Sequence, residues 1–204
     1  LYQLFGRLYG TNNFPDCSNM CHEPSGVALG QQIGVGKGTV LLEDFEQADL
    51  ILVFGQNPGT NHPRMLGELR RAVKRGASLL AFNPLRERGL ERFADPQDAL
   101  EMLHGGSTKI ASDYYQLRIG GDLAAVTGII KHVLERGARA HAEGKPPLLD
   151  EVFIETHTDG FDALHTSVEA ADWASIEKES GLTEARLRDA GERFLRSERA
   201  IVCW

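Results

Sequence analysis

The run Asp49-Leu-Ile-Leu-Val-Phe54, which Gly55 follows, predicts a buried strand of a parallel sheet. Such strands are continuously apolar because both faces of the sheet are covered. Pro63–Arg75 comes next, with an apolar stripe at helical spacing and Pro at its start, which predicts a helix. Ala77–Phe82 is a second apolar run. This order of strand, helix and strand predicts a right-handed βαβ unit, and hence an α/β fold.

The rest of the chain is predicted to be mostly helical. Residues 1–23 are expected to form loops with room for one short helix, and Ala138–Pro147 is expected to be a polar linker. The connection over residues 83–121 is long enough to be functional or to carry short elements. A last strand is predicted at Ala200–Cys203. Helices are predicted at Gly26–Gln32, Leu41–Gln47, Asp122–Arg136, Leu149–Thr156, Phe161–Ala170, Ala171–Ser180 and Thr183–Ser197, the last with Thr183 as its N-cap.

The length and charge of the chain limit the classes of function. Its 204 residues can form one α/β domain or somewhat more. We divide it into a loop-rich segment, residues 1–48, and an α/β region, residues 49–204, with a helical insertion at about 148–197. With 22 basic and 29 acidic residues the net charge is −7, which argues against a nucleic-acid partner. No signal peptide or membrane-spanning run is visible, so we expect a cytoplasmic protein, and both ends suggest a piece of a longer chain.

A cysteine-containing segment precedes the α/β region. Cys17 and Cys21 lie between Pro15 and Pro24, and His22 directly follows Cys21. We expect Cys21 and His22 on a loop ahead of a helix, where a thiolate is stabilised and can serve as a soft metal ligand or a nucleophile. The spacing alone favours ordinary buried cysteines, and that alternative stays open. A disulfide is disfavoured, and a zinc site would need two more ligands.

Three loops at strand ends or helix starts are candidates for binding a ligand, because ligands of open α/β sheets bind beyond the carboxyl ends of the strands. Gly55–His62 offers glycines and neutral polar groups ahead of a helix, which favours a phosphate or another anion, or is only a turn. Arg86 and Arg88 follow the second strand and are either phosphate ligands or solvated side chains. Gly120–Asp122 begins a helix that Asp122 alone could cap. The chain lacks the G-x-G-x-x-G and Walker A motifs, which argues against an ordinary NAD site. The three loops, together with the pair Cys21-His22, suggest a large phosphorylated cofactor that holds a metal.

Several blocks in this order resemble one known family, the molybdopterin oxidoreductases of the dimethyl sulfoxide reductase superfamily. The branch that they most resemble is that of the formate dehydrogenase alpha-subunit-like proteins, and the resemblance covers residues 13–204. It implies a parallel-sheet, Rossmann-like three-layer domain with a helical C-terminal part. The blocks are Cys21-His-Glu-Pro-Ser25, Phe54-Gly-Gln-Asn-Pro58, His62-Pro63, Asn83-Pro84 and Arg118-Ile-Gly-Gly-Asp122.

The resemblance also implies roles for individual residues. Cys21 matches the cysteine or selenocysteine that ligates molybdenum, and His22 matches the histidine that assists proton handling in formate oxidation. The expected cofactor is molybdenum bis(molybdopterin guanine dinucleotide). The residues that match the loop holding one dinucleotide are Gly55, Asn57, Thr60 and Asn61, and those around its nucleotide end are Asn83, Arg86, Gly120 and Asp122.

The chain departs from the pattern of this family at two places. The family often has Asp-Pro-Arg where this chain has Asn83-Pro84-Leu85, so Arg86 is a candidate substitute, and the insertion at about residues 90–115 is unusually long. A 4Fe–4S cluster, if the parent carries one, would lie before Leu1, and the second pterin-binding domain after Trp204. The leading hypothesis is therefore a segment of a molybdenum enzyme acting on formate or a similar small molecule, inactive by itself and completed by the remaining domains. The alternative is a nucleotide-binding or scaffold domain without redox activity.

Overall fold

The computed structural model describes residues 1–14 and 17–204, with the backbone only at residue 20, and divides the chain into two units, Leu1–Val40 and Leu41–Trp204. The first unit contains α1 (Tyr2–Tyr9), α2 (Cys17–Met20) and α3 (Glu23–Ile33). α3 begins three residues before the predicted start at Gly26, because Pro24 is tolerated in the first turn of a helix. The predicted role of Pro15 lies outside the described residues.

The second unit is an α/β fold. A 3₁₀ helix at Leu42–Glu46 leads into it, where the sequence predicted a short helical connector at Leu41–Gln47. The helices and strands that follow are β1 (Leu50–Phe54), α4 (Pro58–Asn61), α5 (Pro63–Arg75), β2 (Ser78–Phe82), α6 (Arg88–Glu91), β3 (Arg92–Phe93), α7 (Ala99–His104), β4 (Thr108–Lys109), β5 (Asp113–Tyr115), α8 (Asp122–Ala142), α9 (Glu151–His157), α10 (Phe161–Ala170), α11 (Trp173–Ser180), α12 (Glu184–Arg196) and β6 (Ala200–Cys203).

The main sheet has the strand order β5–β2–β1–β6, and each neighbouring pair is parallel. β1, α5 and β2 form the predicted βαβ unit, with Leu50 opposite Ser78 and Phe54 opposite Phe82. β3 and β4 form a separate antiparallel pair inside the insertion at about residues 90–115. The prediction of a parallel α/β fold is therefore confirmed.

The two faces of the sheet are covered by different helices, which gives the predicted three layers. One apolar cluster contains Ile51 and Val53 of β1 together with Leu69 of α5. The other contains Leu50 and Leu52 of β1, and it also includes residues of α8, α11 and α12. Adjacent residues of β1 thus point to opposite faces, both buried, which explains why this strand is continuously apolar. No helix among the described residues is both long enough and apolar enough to cross a membrane.

One prediction along the chain is confirmed and another is wrong in part. The connection over residues 83–121 carries short elements, as its length indicated, and one of them, β5, extends the main sheet by pairing with β2. α8 continues to Ala142 through residues that we predicted to be linker. Its last turns look polar in the sequence because Arg139 and His141 face solvent, whereas Ala140 between them is buried.

The insertion after β2 is attached to α5 by one buried cation. Arg70 is only 8% exposed, and its guanidinium lies 2.6 Å from Asp98, 3.2 Å from Glu101 and 3.3 Å from Asp95. Thr108 of β4 accepts a hydrogen bond from Arg70 Nε at 3.3 Å. The backbone N–H of Asp95 is the main cause that lowers the pKa of Glu101, and Thr108 and Arg70 add to it. A single side chain therefore organises three carboxylates of α7 and of the residues before it.

Replacement by alanine is expected to have opposite effects on stability at two glycines of α8. A Cβ at Gly128 would lie 2.7 Å from Leu187 Cδ1 and 3.0 Å from Ile176 Cγ2, whereas one at Gly137 would lie 3.7 Å from Leu149. We expect Gly128→Ala to lower the free energy of unfolding by about 1–3 kcal/mol through overpacking. Gly137→Ala is expected to raise it by about 0.5–1 kcal/mol, because alanine is the better helix former. Urea unfolding of the two variants checks this pair, and equal effects would contradict the packing at Gly128.

The hydrogen bonds of Asp49 just before β6 are predicted to stabilise the protein in a pH-dependent way. The carboxylate of Asp49 accepts hydrogen bonds from the backbone N–H groups of Glu198 (2.9 Å) and Arg199 (3.1 Å), and the first of these is the main cause that lowers its pKa. A lowered pKa stabilises the folded protein above the unfolded-state pKa of about 3.9, and the contribution is lost as the pH falls through the folded-state pKa. We expect Asp49→Asn to cost about 1 kcal/mol at neutral pH and less in acid. Urea unfolding at pH 7 and below pH 4 measures both values, and a deficit that does not change with pH would contradict the prediction.

Candidate functional site

The carboxyl ends of β1, β2 and β5 lie side by side at one edge of the sheet. Phe54, Phe82 and Tyr115 are the last residues of these strands and are paired in register. Their rings stack at centroid distances of 4.4 Å and 4.6 Å. Because the strands are parallel, the loops that follow them leave the sheet at the same edge. The predicted binding residues of the second unit therefore follow neighbouring strand ends.

The loop after β1 is fixed by glycines. Gly55 has a left-handed backbone (φ +64°), and its N–H donates to the carbonyl of Phe82 at 2.8 Å. Gly59 packs directly on Gly89 of α6, where a Cβ at Gly89 would lie 2.9 Å from the Gly59 Cα. Only a residue without a Cβ allows the two loops this close approach. Thr60 and Asn61 are exposed on α4.

Two of the three asparagines that the sequence singled out, Asn57 and Asn83, form hydrogen bonds inside the protein. Asn83 is 5% exposed, donates from Nδ2 to the carbonyl of Gln56 at 3.0 Å, and accepts from the Leu85 N–H at 3.3 Å. Asn57 donates from Nδ2 to Glu87 Oε2 at 2.8 Å. These bonds connect the loop after β1 to the loop after β2, so the two loops form one platform.

Tyr114 holds the second loop in place. Its hydroxyl donates to the carbonyl of Leu85 at 2.5 Å and accepts from the Glu87 N–H at 3.0 Å, and burial raises its pKa. Arg86 is paired with Glu91 at 2.8 Å and lies 5.3 Å from the ring centroid of Tyr114. Gln56, Glu87 and Tyr114 could not be identified from the sequence, because no local pattern marks a side chain that bonds to a loop far along the chain.

The third predicted loop leads into α8. Gly120 is left-handed (φ +78°), and a Cβ at Gly121 would lie 2.8 Å from the carbonyl oxygen of Glu179. The N-cap of α8 is Gly121, so the predicted cap at Asp122 is wrong. Asp122 is instead the first helical residue, and it is half-buried. A carboxylate in the first turn is still favourable, because the positive end of the helix dipole lies there.

Cys21 and His22 lie in the first unit, between α2 and α3. Cys17 and Cys21 are exposed free thiols rather than buried cysteines, and the Cys21 N–H donates to the carbonyl of Ser18 at 3.3 Å. His22 is the N-cap residue of α3, and its Nδ1 lies 3.3 Å from Ser25 Oγ. Residues 1–14 and 17–204 contain no group of three or more His, Cys, Asp or Glu side chains that could hold a metal ion. The predicted metal contact of this chain is thus the single thiol of Cys21.

Comparisons with known proteins give relatives of the whole chain, whereas no family model matches it. The protein named YdeP from Escherichia coli (strain K12) is 56% identical over 204 residues, which are 100% of this chain and 27% of that protein. A protein named an uncharacterized oxidoreductase, from Mycobacterium tuberculosis (strain ATCC 25618 / H37Rv), is 43% identical over 203 residues, 25% of its length. A Staphylococcus aureus (strain MRSA252) protein with a provisional formate dehydrogenase name is 26% identical over 204 residues, 18% of its length.

A solved structure shares the fold. Acetylene hydratase from Pelobacter acetylenicus superposes on 98% of this chain and 23% of its own with a TM-score of 0.67, at 23% sequence identity. The chain thus spans about a quarter or less of the length of these proteins. The predicted resemblance to formate dehydrogenase-like oxidoreductases is confirmed for the segment that the chain covers.

Proposed function

We propose that this chain is the cofactor-binding segment of a molybdenum-dependent, formate dehydrogenase-like oxidoreductase, since its relatives include proteins named as oxidoreductases. The observation that carries the proposal is the platform at the carboxyl edge of the sheet. There the loops after β1 and β2 are joined through Asn57–Glu87 and Asn83–Gln56, next to the strand end that leads to Asp122. Nucleotides bind at this edge in open α/β sheets.

The residues of the platform fit a molybdopterin guanine dinucleotide. Gln56 Oε1 is buried and has no hydrogen-bond partner among the described residues, so it can accept from an N–H group of a ligand. Gly55 and Gly120, where nothing lies within 4 Å of an added Cβ, leave room for a ligand to approach the backbone. The exposed side chains of Thr60 and Asn61 and the carboxylate of Asp122 supply further polar contacts.

Cys21 and His22 would act in the chemical step. The cofactor, when bound, would supply a metal centre able to accept the two electrons of the oxidation. Cys21 offers an exposed soft thiolate, which suits a metal already held by sulfur ligands. His22 Nδ1 lies beside Ser25 Oγ, which leaves Nε2 as the nitrogen that takes up a proton from the substrate.

Activity belongs to the parent protein in this proposal. The substrate is formate or a similar small molecule, the protein acts in the cytoplasm, and the remaining domains complete the second dinucleotide site. A net charge of −7 gives no support to a nucleic-acid partner.

Metal and cofactor analysis of the full-length parent tests the proposal. We expect about one molybdenum per chain and the fluorescence of oxidised pterin after denaturation, in a host that makes the cofactor. Finding neither would overturn the proposal.

A second candidate is a nucleotide-binding or scaffold domain without redox activity. It is favoured by one observation: Asn57, Asn83 and Arg86 all have partners inside the protein. A full-length parent that contains neither metal nor pterin but still binds nucleotides would support this candidate.

A further inference from the structure

Cys17 and Cys21 lie one helical turn apart in the first unit. Cys17 is the first residue of α2, and Cys21 directly follows its last residue, with its N–H bonded to the carbonyl of Ser18 at 3.3 Å. Residues four apart on a helical turn share one face, with their Cα atoms about 6 Å apart. Disulfides span Cα distances of about 4.4–6.8 Å, so the two cysteines lie within bonding range of each other.

A bond between the two sulfurs requires a small local movement. The Cβ atoms of residues four apart on a helix are about 5–6 Å apart, whereas a disulfide holds them at about 3.5–4.5 Å. The pair must therefore approach by about 1–2 Å. α2 has only four residues, and Cys21 lies just beyond its end, where helices fray easily. The backbone at Cys21 can thus make this movement without disturbing a long helix.

The exposure of the three cysteines favours this pair as the site of oxidation. Cys17 and Cys21 are exposed free thiols, whereas Cys203 is half-buried. Burial raises the pKa of the Cys203 thiol to about 11, so it carries little of the thiolate that reacts with oxidants. An accessible cysteine with a second one within reach is the usual arrangement of a redox-sensing thiol. Cys203 therefore serves as the internal reference.

We propose that Cys17 and Cys21 form a reversible disulfide when a peroxide reaches them, so that Cys17 protects Cys21 from irreversible oxidation. The thiolate of one cysteine attacks the O–O bond of the peroxide, keeps one oxygen as a sulfenic acid and releases hydroxide. The thiol of the other cysteine then attacks this sulfur, the S–S bond forms and the oxygen leaves as water. The two electrons of the thiol pair reduce the peroxide, and a dithiol reductant later returns both thiols.

This inference goes beyond the proposed function, because it concerns the two thiols before any metal is bound. A disulfide sulfur is not a thiolate, so the oxidised pair cannot ligate a metal until it is reduced. The disulfide also keeps Cys21 from the sulfinic acid, which ordinary reductants do not reverse. The disulfide that the sequence disfavours is a permanent one, whereas a transient one is the kind found in reducing compartments. Cys17 acts only while an oxidant is present, and it is not a metal ligand in this account.

The experiment follows the two cysteines in one peptide. Full-length parent, prepared as apoprotein from a host unable to make the pterin cofactor, is exposed to hydrogen peroxide. Free thiols are blocked with N-ethylmaleimide, and disulfides are then reduced and labelled with iodoacetamide. Trypsin releases residues 8–37, which contain Cys17 and Cys21 and no other cysteine. Mass spectrometry should find the second label on both residues after peroxide, and the first label on both when dithiothreitol is added before blocking.

A digest without reduction identifies the partner of each sulfur. A bond inside the peptide makes residues 8–37 lighter by two hydrogens, whereas a bond to another peptide joins two masses. In Cys17→Ser, the second label should disappear from Cys21, and the yield of sulfinic acid there should rise at least about tenfold. Cys203→Ser is the control, and it should leave the labelling of Cys17 and Cys21 unchanged.

Three results would each overturn the inference. They are thiols that stay free under peroxide, equal yields of sulfinic acid at Cys21 with and without Cys17, and disulfides that join this peptide to another. None of them affects the proposed function, which metal and pterin analysis of the holoprotein decides. A parent without molybdenum in which the internal disulfide forms would remove the proposed function and leave the inference.

Discussion

Replacing Cys21 with serine is expected to lower formate oxidation by the parent at least about a hundredfold, which corresponds to about 3 kcal/mol of lost transition-state stabilisation. The exposed thiol would be the only side chain of this segment to bind the metal in the proposed site. A serine hydroxyl is a harder ligand than a thiolate and is protonated at neutral pH, so it cannot replace the thiolate on a soft, sulfur-rich centre. Dye-linked oxidation assays measure the loss, and circular dichroism should show an unchanged fold, since the side chain is exposed.

Cys17→Ser is the matched control, because Cys17 is an exposed thiol on the adjacent helix α2. It should retain the parental activity. Full activity in the Cys21 variant would contradict metal ligation at this position, whereas equal losses in both variants would assign the effect to the local structure of the segment.

Replacing Arg70 with methionine is expected to cost roughly 2–3 kcal/mol of unfolding free energy. Methionine keeps much of the apolar volume, but it leaves Asp95, Asp98 and Glu101 without the buried guanidinium. Lys74, at 4.0 Å from Asp98 and 3.9 Å from Glu101, is half-exposed and offsets this loss only in part. The pKa values of Asp98 and Glu101, which Arg70 helps to lower, should rise in the variant. The deficit should therefore be largest at neutral pH and shrink below about pH 4, where protonation relieves the repulsion.

Arg71→Met is the control for this change. Arg71 is the next residue of α5, and it is exposed and paired with Glu68. Exposed ion pairs contribute about 0–1 kcal/mol, so its loss should be small. Urea unfolding at pH 7 and below pH 4 measures both variants, and equal deficits would show that the insertion is not held by Arg70.

Much of the fold could be predicted from the sequence because its apolar patterns are long. α5, α10 and β6 have the predicted bounds, and Thr183 caps α12 as expected by accepting from the Arg186 N–H. β5 could not be predicted in the same way, since it has three residues and begins at Asp113. It forms a strand because its residues pair with Leu80–Phe82, which is a tertiary effect.

The candidate site could be predicted only in outline. The edge of the sheet follows from the parallel topology, so the loops that begin at Gly55 and Asn83 could be placed together in advance. The side chains that hold these loops could not be predicted, because Glu87 lies 30 residues from Asn57 and Tyr114 lies 27 residues from Glu87. The roles of Cys21, His22 and the cofactor-binding residues stay predictions until the experiments above are done.

The position of β6 has a consequence for biosynthesis. Asp49, next to β1, bonds to the backbone at Arg199, 150 residues later, and β1 is the strand between β2 and β6. At roughly 5–20 residues per second, the ribosome needs about eight to thirty seconds after β1 to synthesise β6. During this interval the nascent chain carries an open, apolar strand edge, which is a site for aggregation or for a chaperone. Ribosome-bound chains stalled before residue 200 should therefore associate with chaperones more strongly than chains released after it.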